Sequence, residues 1–417
     1  MALERDSSPA ESSFSPIKIC FIIRQLALGG AELQLLQLIR GLPESSYQIS
    51  LVLLYAEDHW INELPVRENL KITVIGKKGR WDPSCLARLF KVVRRARPDI
   101  LHGYLPWGNI LATLLRPFVG CPRVVWGVRS SHFSSEDLTL SQRCVRAIER
   151  VLRNTPNLVV VNSASGHQSL LDQGFPADRV RLVRNGIDTE LFSPLPNAAR
   201  LLREKLQIKP SDLVIGLVAR PDPKKGHLLF LKAASHFIKN FGHAIFLCVG
   251  TDPRQAFGHQ LIAESERLGL SDHIRIVPPS HSLPIYYSAM NVCTLCSNPA
   301  EGTPNVVAEA MACGIRCVVT PNGDCAYLIG SSGIVTDRTP EAIAEAWHSA
   351  ALLGNDARSP NPRDRIGRLY SLDTMIRNSD KAFRSILNRP TQPQEGDLGN
   401  QICAADLSDS LITEHSS

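Results

Sequence analysis

The apolar run IKICFII at 17–23 stops at Arg24. A Gly-Gly step follows, and then AELQLLQLIRGL places Leu35, Leu38, Ile39 and Leu42 on one helical face. This predicts a buried strand, a tight turn and an amphipathic helix. QISLVLLY, ITVIG, DILHGY, RVVWGV and NLVVVNS are further strand-like runs separated by helical stretches, giving six strands in a first series. VRLVRNGIDTELFSPLP is rich in turn formers and is expected to end that sheet and lead into a linker. A second series then runs through LVIGLVAR, AIFLCVG, HIRIVPP, NVCTLCS, IRCVVT and GIVTD. Strands that alternate with helices form parallel, doubly wound sheets. The expectation is an α/β protein of two Rossmann-like domains facing a cleft, with ligands at the carboxyl ends of the strands.

The same pattern sets the boundaries. Residues 1–16 are polar and partly acidic and read as a disordered lead-in rather than a signal peptide. The first domain is expected over 17–190 and the second over 191–367. The amphipathic stretch SLDTMIRNSDKAFRSIL forms a late helix within 368–388, and 389–417 reads as a disordered tail. A length of 417 residues is too great for one ordinary core and fits this division. No apolar run approaches the roughly 18 residues of a membrane span, so the chain is expected to be cytoplasmic.

Charge changes the picture for the first half only. Residues 1–190 carry 24 Lys/Arg against 18 Asp/Glu, whereas residues 191–417 carry 22 of each. That asymmetry points to an anionic partner for the first domain, such as a membrane surface, and not to nucleic acid. The helix SCLARLFKVVRRAR is the candidate contact. It is expected to bury Leu86, Leu89, Phe90 and Val93 and to turn Arg88, Lys91, Arg94 and Arg95 outward, with Lys77, Lys78 and Arg80 just before it. The bland alternative is an ordinary sheet-covering helix with a solvated basic face. Cys293 and Cys296 form a CxxC followed by Cys313, Cys317 and Cys325, but no second CxxC or HxxxH completes a zinc set. These cysteines read as small core hydrophobes.

Four loops at predicted strand ends can carry chemistry. Gly29 and Gly30 open a helix after the first strand, where free amides favour an anion; a simple tight turn explains them equally well. Arg220 and Lys225 frame the Pro/Gly loop RPDPKKGH and suit a diphosphate, unless they are surface charge. Gly250 makes a third loop. The fourth is AEGTPNVVAEAMACG at 300–314, with Glu301 in the loop and Pro304 and Gly314 as helix start and stop signals. Asn305 and Glu309, four apart, share a helical face. Amides near Asn305 and Val306 can take a phosphate, and Glu309 can accept hydrogen bonds from vicinal hydroxyls. An unpaired charge among Val306, Val307, Ala308, Ala310 and Met311 is costly, which weighs against a merely solvated Glu309.

The E-x7-E element from Glu301 to Glu309, with its flanks EGTPNVVAEAMACG, resembles the signature of the retaining GT-B glycosyltransferases of family four. LGGAE, RPDILH, VNS, RNGIDTELF and Arg220 with KKG match in the family's order, so the resemblance spans about residues 17 to 388. It implies a GT-B fold and sugar transfer from a nucleoside-diphosphate sugar to a sugar or lipid-linked acceptor, with retention, in polysaccharide or glycoconjugate synthesis. By position, Arg220 and Lys225 would hold the diphosphate and stabilise the leaving group. Glu309 would bind the nucleotide ribose, and Glu301 with Gly302, Asn305 and Val306 would hold the donor sugar and phosphates. Gly29 and Gly30 would border the cleft opposite, and the late helix would cross back onto the first domain.

Several positions depart from the family pattern. The T-x-H step after the fifth strand is replaced here by Gly127 and Arg129, with His132 three further on. Arg129 cannot act as a base near neutral pH, which leaves it an electrostatic or binding role. Ala219 replaces the usual glycine before Arg220, and Arg316 replaces a common proline. No Asp-x-Asp occurs in the chain, so no metal cofactor is expected, and protein cations must neutralise the leaving diphosphate. By family resemblance the displacement is front-face, the leaving phosphate taking the acceptor's proton. A nucleotide-sugar epimerase of the same fold and a non-catalytic sugar-nucleotide-binding protein are the rival readings.

Overall fold

Among the described residues thirteen strands form, twelve of them where the apolar runs stand, and all of those paired run parallel. In the first domain they are β1 (Ile17–Ile23), β2 (Tyr47–Leu53), β3 (Leu70–Val74), β4 (Ile100–Tyr104), β5 (Arg123–Val128), β6 (Leu158–Val161) and β7 (Val180–Leu182), in the order β3-β2-β1-β4-β5-β6-β7. The second domain holds β8 (Val214–Val218), β9 (Ile245–Val249), β10 (Ile274–Val277), β11 (Val292–Leu295), β12 (Arg316–Val319) and β13 (Ile334–Val335), ordered β10-β9-β8-β11-β12-β13. The chain thus forms the two doubly wound sheets expected of it. This computed structural model describes residues 15–26, 29–55, 67–77, 82–129, 139–297, 302–354 and 358–389. Most of the expected lead-in and tail lies outside the described residues.

The first sheet has one strand more than the sequence pattern predicted. Val180–Leu182, expected to lie in a turn-rich linker, pairs with β6 instead. It is a short edge strand with Arg181 exposed between its neighbours, so it shows no apolar run. Each sheet reverses its winding at its first strand, between β1 and β4 and between β8 and β11. At such a switch point the loops diverge and leave a crevice for a ligand.

The domains are joined twice. The segment after β7 leads out, and a bridge between Ile187 and Ser371 brings the chain back. The helix Leu372–Leu387 then packs on the first domain, as its sequence suggested, seating Met375 and Phe383 in the core formed by β1, β2 and the helix Gly30–Gly41. Gly41 is required there, because Ile376 occupies the space its Cβ would fill. The Tyr47 hydroxyl donates to Asp380 at 2.6 Å, and Arg384 holds the same carboxylate at 2.9 Å.

The basic helix, Ser84–Ala96, differs from expectation. It buries Cys85, Leu89 and Val93, while Leu86, placed on the core face by its spacing, is exposed and Phe90 is half-buried. Arg88 is not a free surface charge: it donates to Asp82 at 2.8 Å, to the Ile75 carbonyl at 3.1 Å and to Ser84 at 2.7 Å. Cys293, Cys296, Cys313, Cys317 and Cys325 are buried free thiols, and Cys293 pairs in register with Cys317 between β11 and β12. They fill the second core.

Candidate active site between the domains

The carboxyl ends of both sheets meet. On the second domain, β8 ends at Val218, and Arg220 stands two residues beyond it. Its guanidinium is largely exposed, 3.9 Å from Asp222. Asp222 caps the turn Pro223–Lys225 by accepting from the Lys224 amide at 2.9 Å. Gly226 then takes φ +81°, and a Cβ there would run into the Cys296 carbonyl, so only glycine fits this turn. Turn and cap together place Lys225 in the same loop after β8 as Arg220. Gly250, after β9, holds φ +108° against the Ala219 carbonyl and brings the third loop to the same edge. His227 is buried behind this loop against Phe257, and burial pushes its imidazole down to about 4, so it is neutral.

The helix Asn305–Ala312 begins at the same edge. Its N-cap is Pro304, and no side chain caps it, so its leading amides have no side-chain partner. Asn305 makes that contact. Its Nδ2 donates to the Gly30 carbonyl at 3.4 Å, and Asn185 donates to its Oδ1 at 2.7 Å. A Cβ on Gly30 would stand 3.0 Å from the Asn305 amide, so the glycine lets the domains approach. Gly302 lies against Asn162 and Ser163, and Val306 is half-buried. Thr303 donates to the Asn162 carbonyl at 2.9 Å. Asp324 of the second domain accepts from the Ala164 and Ser165 amides at 2.6 and 2.9 Å, docking a carboxylate on a helix N-terminus of the first.

Glu309 is buried one turn deeper. The Tyr287 hydroxyl donates to it at 2.8 Å, and Cys293 and Cys313 lie near. Burial pushes its carboxyl up to about 7 although the Tyr287 hydrogen bond opposes the shift. Glu301 and His132 lie outside the described residues, as do Lys78 and Arg80. Arg129 is described. It donates to Asn185 at 3.1 Å, and its guanidinium lies over the Tyr104 ring at 4.9 Å. Arg316, the other departure, opens β12 at the end away from the cleft and donates to the Ser332 carbonyl.

The residue-by-residue reading missed Glu32, Tyr104, Asn162 and Asn185. All four belong to motifs quoted above or stand next to one. Glu32 leans over Gly29 and faces Arg220 across the cleft; burial raises its carboxyl, while its own amide and Arg220 pull it back.

Two family profiles match. The profile described as Glycosyltransferase Family 4 covers residues 28–191, and that described as Glycosyl transferases group 1 covers 212–351. The UDP-Gal:alpha-D-GlcNAc-diphosphoundecaprenol alpha-1,3-galactosyltransferase of Escherichia coli is 23% identical over 324 residues, 74% of this chain and 81% of its own length. The D-inositol 3-phosphate glycosyltransferase of Corynebacterium glutamicum is 26% identical over 274 residues, 62% of this chain and 64% of its own. Among solved structures, HepE of Anabaena in complex with UDP superposes with a TM-score of 0.76 at 19% identity, covering 88% of this chain and all of that one. The last likeness concerns the fold alone, which is GT-B. The profiles fall one on each domain, and this chain belongs to the family 4, group 1 glycosyltransferases.

Proposed function

We propose that the protein transfers a hexosyl group from a nucleoside-diphosphate sugar to a sugar or lipid-linked glycan acceptor, with retention of configuration. The observation that carries this reading is that the loop of Arg220 and Lys225 after β8 and the uncapped start of Asn305–Ala312 after β11 leave adjacent strands at one sheet edge, with Asn305 against Gly30 and Asn185. Two cations and a helix N-terminus suit a diphosphate. The first relative's name carries a UDP sugar and a lipid diphosphate, and HepE binds UDP. In this reading Arg220 and Lys225 neutralise the leaving group without a metal, and the acceptor enters from the first domain. A panel of radiolabelled nucleotide sugars, with transfer and hydrolysis followed separately, tests it. Epimerised donor, or donor bound with neither transfer nor hydrolysis, would replace it with one of the rivals.

The acceptor side of this reading includes contact with an anionic membrane surface. Among the described residues no helix is long and apolar enough to cross a membrane. The helices Leu105–Leu115 and Leu140–Val151, however, leave Trp107, Leu114, Leu140, Ile148 and Val151 exposed, with Phe118 just beyond the first. Arg116, Arg143 and Arg150 accompany them. Both helices follow strands that end at the cleft, so Trp107 and Leu140, in their first turns, stand at the cleft edge of this flank. Apolar insertion with about 1 kcal/mol per nearby basic residue suits reversible attachment, and this flank fits that better than the helix Ser84–Ala96, whose Arg88 is engaged. Replacing Trp107, Phe118 and Ile148 by Ser is expected to abolish cosedimentation with phosphatidylglycerol vesicles. Reversing Lys91, Arg94 and Arg95 to Glu is expected to weaken it only as far as added salt does. The opposite ranking would return the contact to the basic helix, and no binding at low salt would remove the membrane.

A further inference from the structure

One face of the first sheet carries an unusual row at its carboxyl edge. His102 and Tyr104 on β4, Gly127 and Arg129 at the end of β5, and Asn162 after β6 stand side by side, with Tyr104 in register with Gly127. Gly127 makes the row possible, since a Cβ there would meet the Tyr104 ring at 3.0 Å and His102 Nε2 at 3.2 Å. Arg129 Nε, both ring nitrogens of His102 and Asn162 Oδ1 are buried without a hydrogen-bond partner, and the buried Tyr104 hydroxyl has none besides the Arg129 guanidinium. Folded proteins leave few such groups, and a cluster of them beside a cleft marks a place where a ligand can bind. The backbone there is strained as well. Leu105, directly after Tyr104, holds φ +65°, a left-handed conformation costly for a branched side chain.

The row is rich in donors. Arg129 donates to Asn185, lies against the Tyr104 hydroxyl and has no carboxylate partner among the described residues. His102, kept neutral by burial and by Arg129, offers one N–H. The one carboxylate felt at Tyr104 is Glu32, which Arg220 also draws from across the cleft. A water can satisfy the Asn162 oxygen or the histidine. A half-buried guanidinium instead calls for an anion.

We propose that Arg129, with the Tyr104 hydroxyl and the His102 ring, forms a subsite for an oxyanion, a carboxylate or a phosphate, carried by the sugar substrate. This rests on the glycosyl-transfer reading and adds the substrate's charge to it. The oxyanion belongs either to the donor sugar or to the acceptor, and binding separates these sources without needing turnover. Calorimetry compares UDP-glucuronic acid with UDP-glucose in one arm. In the other, with UDP present, it compares N-acetylglucosamine 1-phosphate with the free sugar.

In one arm the anionic probe is expected to bind at least about tenfold tighter, the scale of one charged hydrogen bond. Arg129→Gln should erase that preference while leaving UDP affinity within about twofold. Arg129→Lys should retain part of it, and Tyr104→Phe should reduce it with the fold intact. No anion preference in either arm overturns the subsite. So does equal loss for charged and neutral probes in Arg129→Gln. A retained preference with no transfer from any donor would overturn the glycosyl-transfer reading instead.

Discussion

Arg220→Ala and Lys225→Ala are each expected to lower turnover by about 10²–10³, the scale of one lost transition-state donor. The reason is where the fold holds them. The end of β8 delivers Arg220, and its 3.9 Å approach to Asp222 is too loose to neutralise it. Asp222 is occupied in capping the turn that carries Lys225, and Gly226 fixes that turn through a φ of +81°. As the glycosidic bond to the diphosphate breaks, negative charge grows on the leaving oxygens, and pre-placed cations stabilise it without reorganisation. The effect should therefore fall on kcat more than on the donor KM. Lys224→Ala, one residue earlier on an exposed position, is the control and should retain most activity. Near-normal turnover in both variants would remove the pair from the chemistry. Full loss of wild-type activity on chelation would show that a metal, and not these side chains, carries the charge.

The same comparison shows what the chain's pattern discloses. Strands buried on both faces are continuous apolar runs, and the more exposed β3, β10 and β13 still carry enough apolar residues, so twelve of the thirteen among the described residues could be read directly. Only the three-residue edge strand Val180–Leu182, with an exposed arginine at its centre, lacked the signal. The E-x7-E element placed Asn305 and Glu309 on a helix whose start and stop residues were also legible, and Gly30 does border the cleft opposite. What spacing could not supply was the partner of each side chain. Leu86 has the spacing of a core residue yet is exposed; Arg88 looks solvated yet donates to both Ile75 and Asp82. Asn185 and Asn162 sit in motifs whose order was recognisable. Their hydrogen bonds join residues more than a hundred positions apart, Asn185 to Asn305 and Thr303 to Asn162. Only tertiary structure reveals such pairs.

Glu309→Gln is expected to make the protein more stable at pH 8 than the wild type by about 3 kcal/mol, and to leave it nearly unchanged at pH 4. Burial raises this carboxyl from an ordinary 4.5 to about 7 in the folded chain, a difference worth about 3 kcal/mol. Below 4.5 both folded and unfolded chains hold the proton, and the group contributes no pH dependence. Between 4.5 and 7 the unfolded chain has released the proton while the folded chain keeps it, so stability falls as pH rises. Above about 7 the loss is complete. Glutamine keeps an acceptor for the Tyr287 hydroxyl, 2.8 Å away in the wild type, and removes the titration. Denaturant unfolding of both proteins from pH 4 to 8 reads the difference directly, and a flat difference would mean that the carboxylate is ionised throughout. The ribose role proposed for Glu309 then has its own signature. Hydroxyls that donate to the carboxylate favour its ionised form, so nucleotide binding at pH 7 should release about half a proton, given a free value of about 7. Calorimetry in two buffers of different ionisation enthalpy measures that release. It should vanish in Glu309→Gln, with weaker binding of the bare nucleoside diphosphate. Proton release that persists in the variant, or affinity that stays at the wild-type level, would leave Glu309 as a buried partner of Tyr287 and move the ribose contact elsewhere.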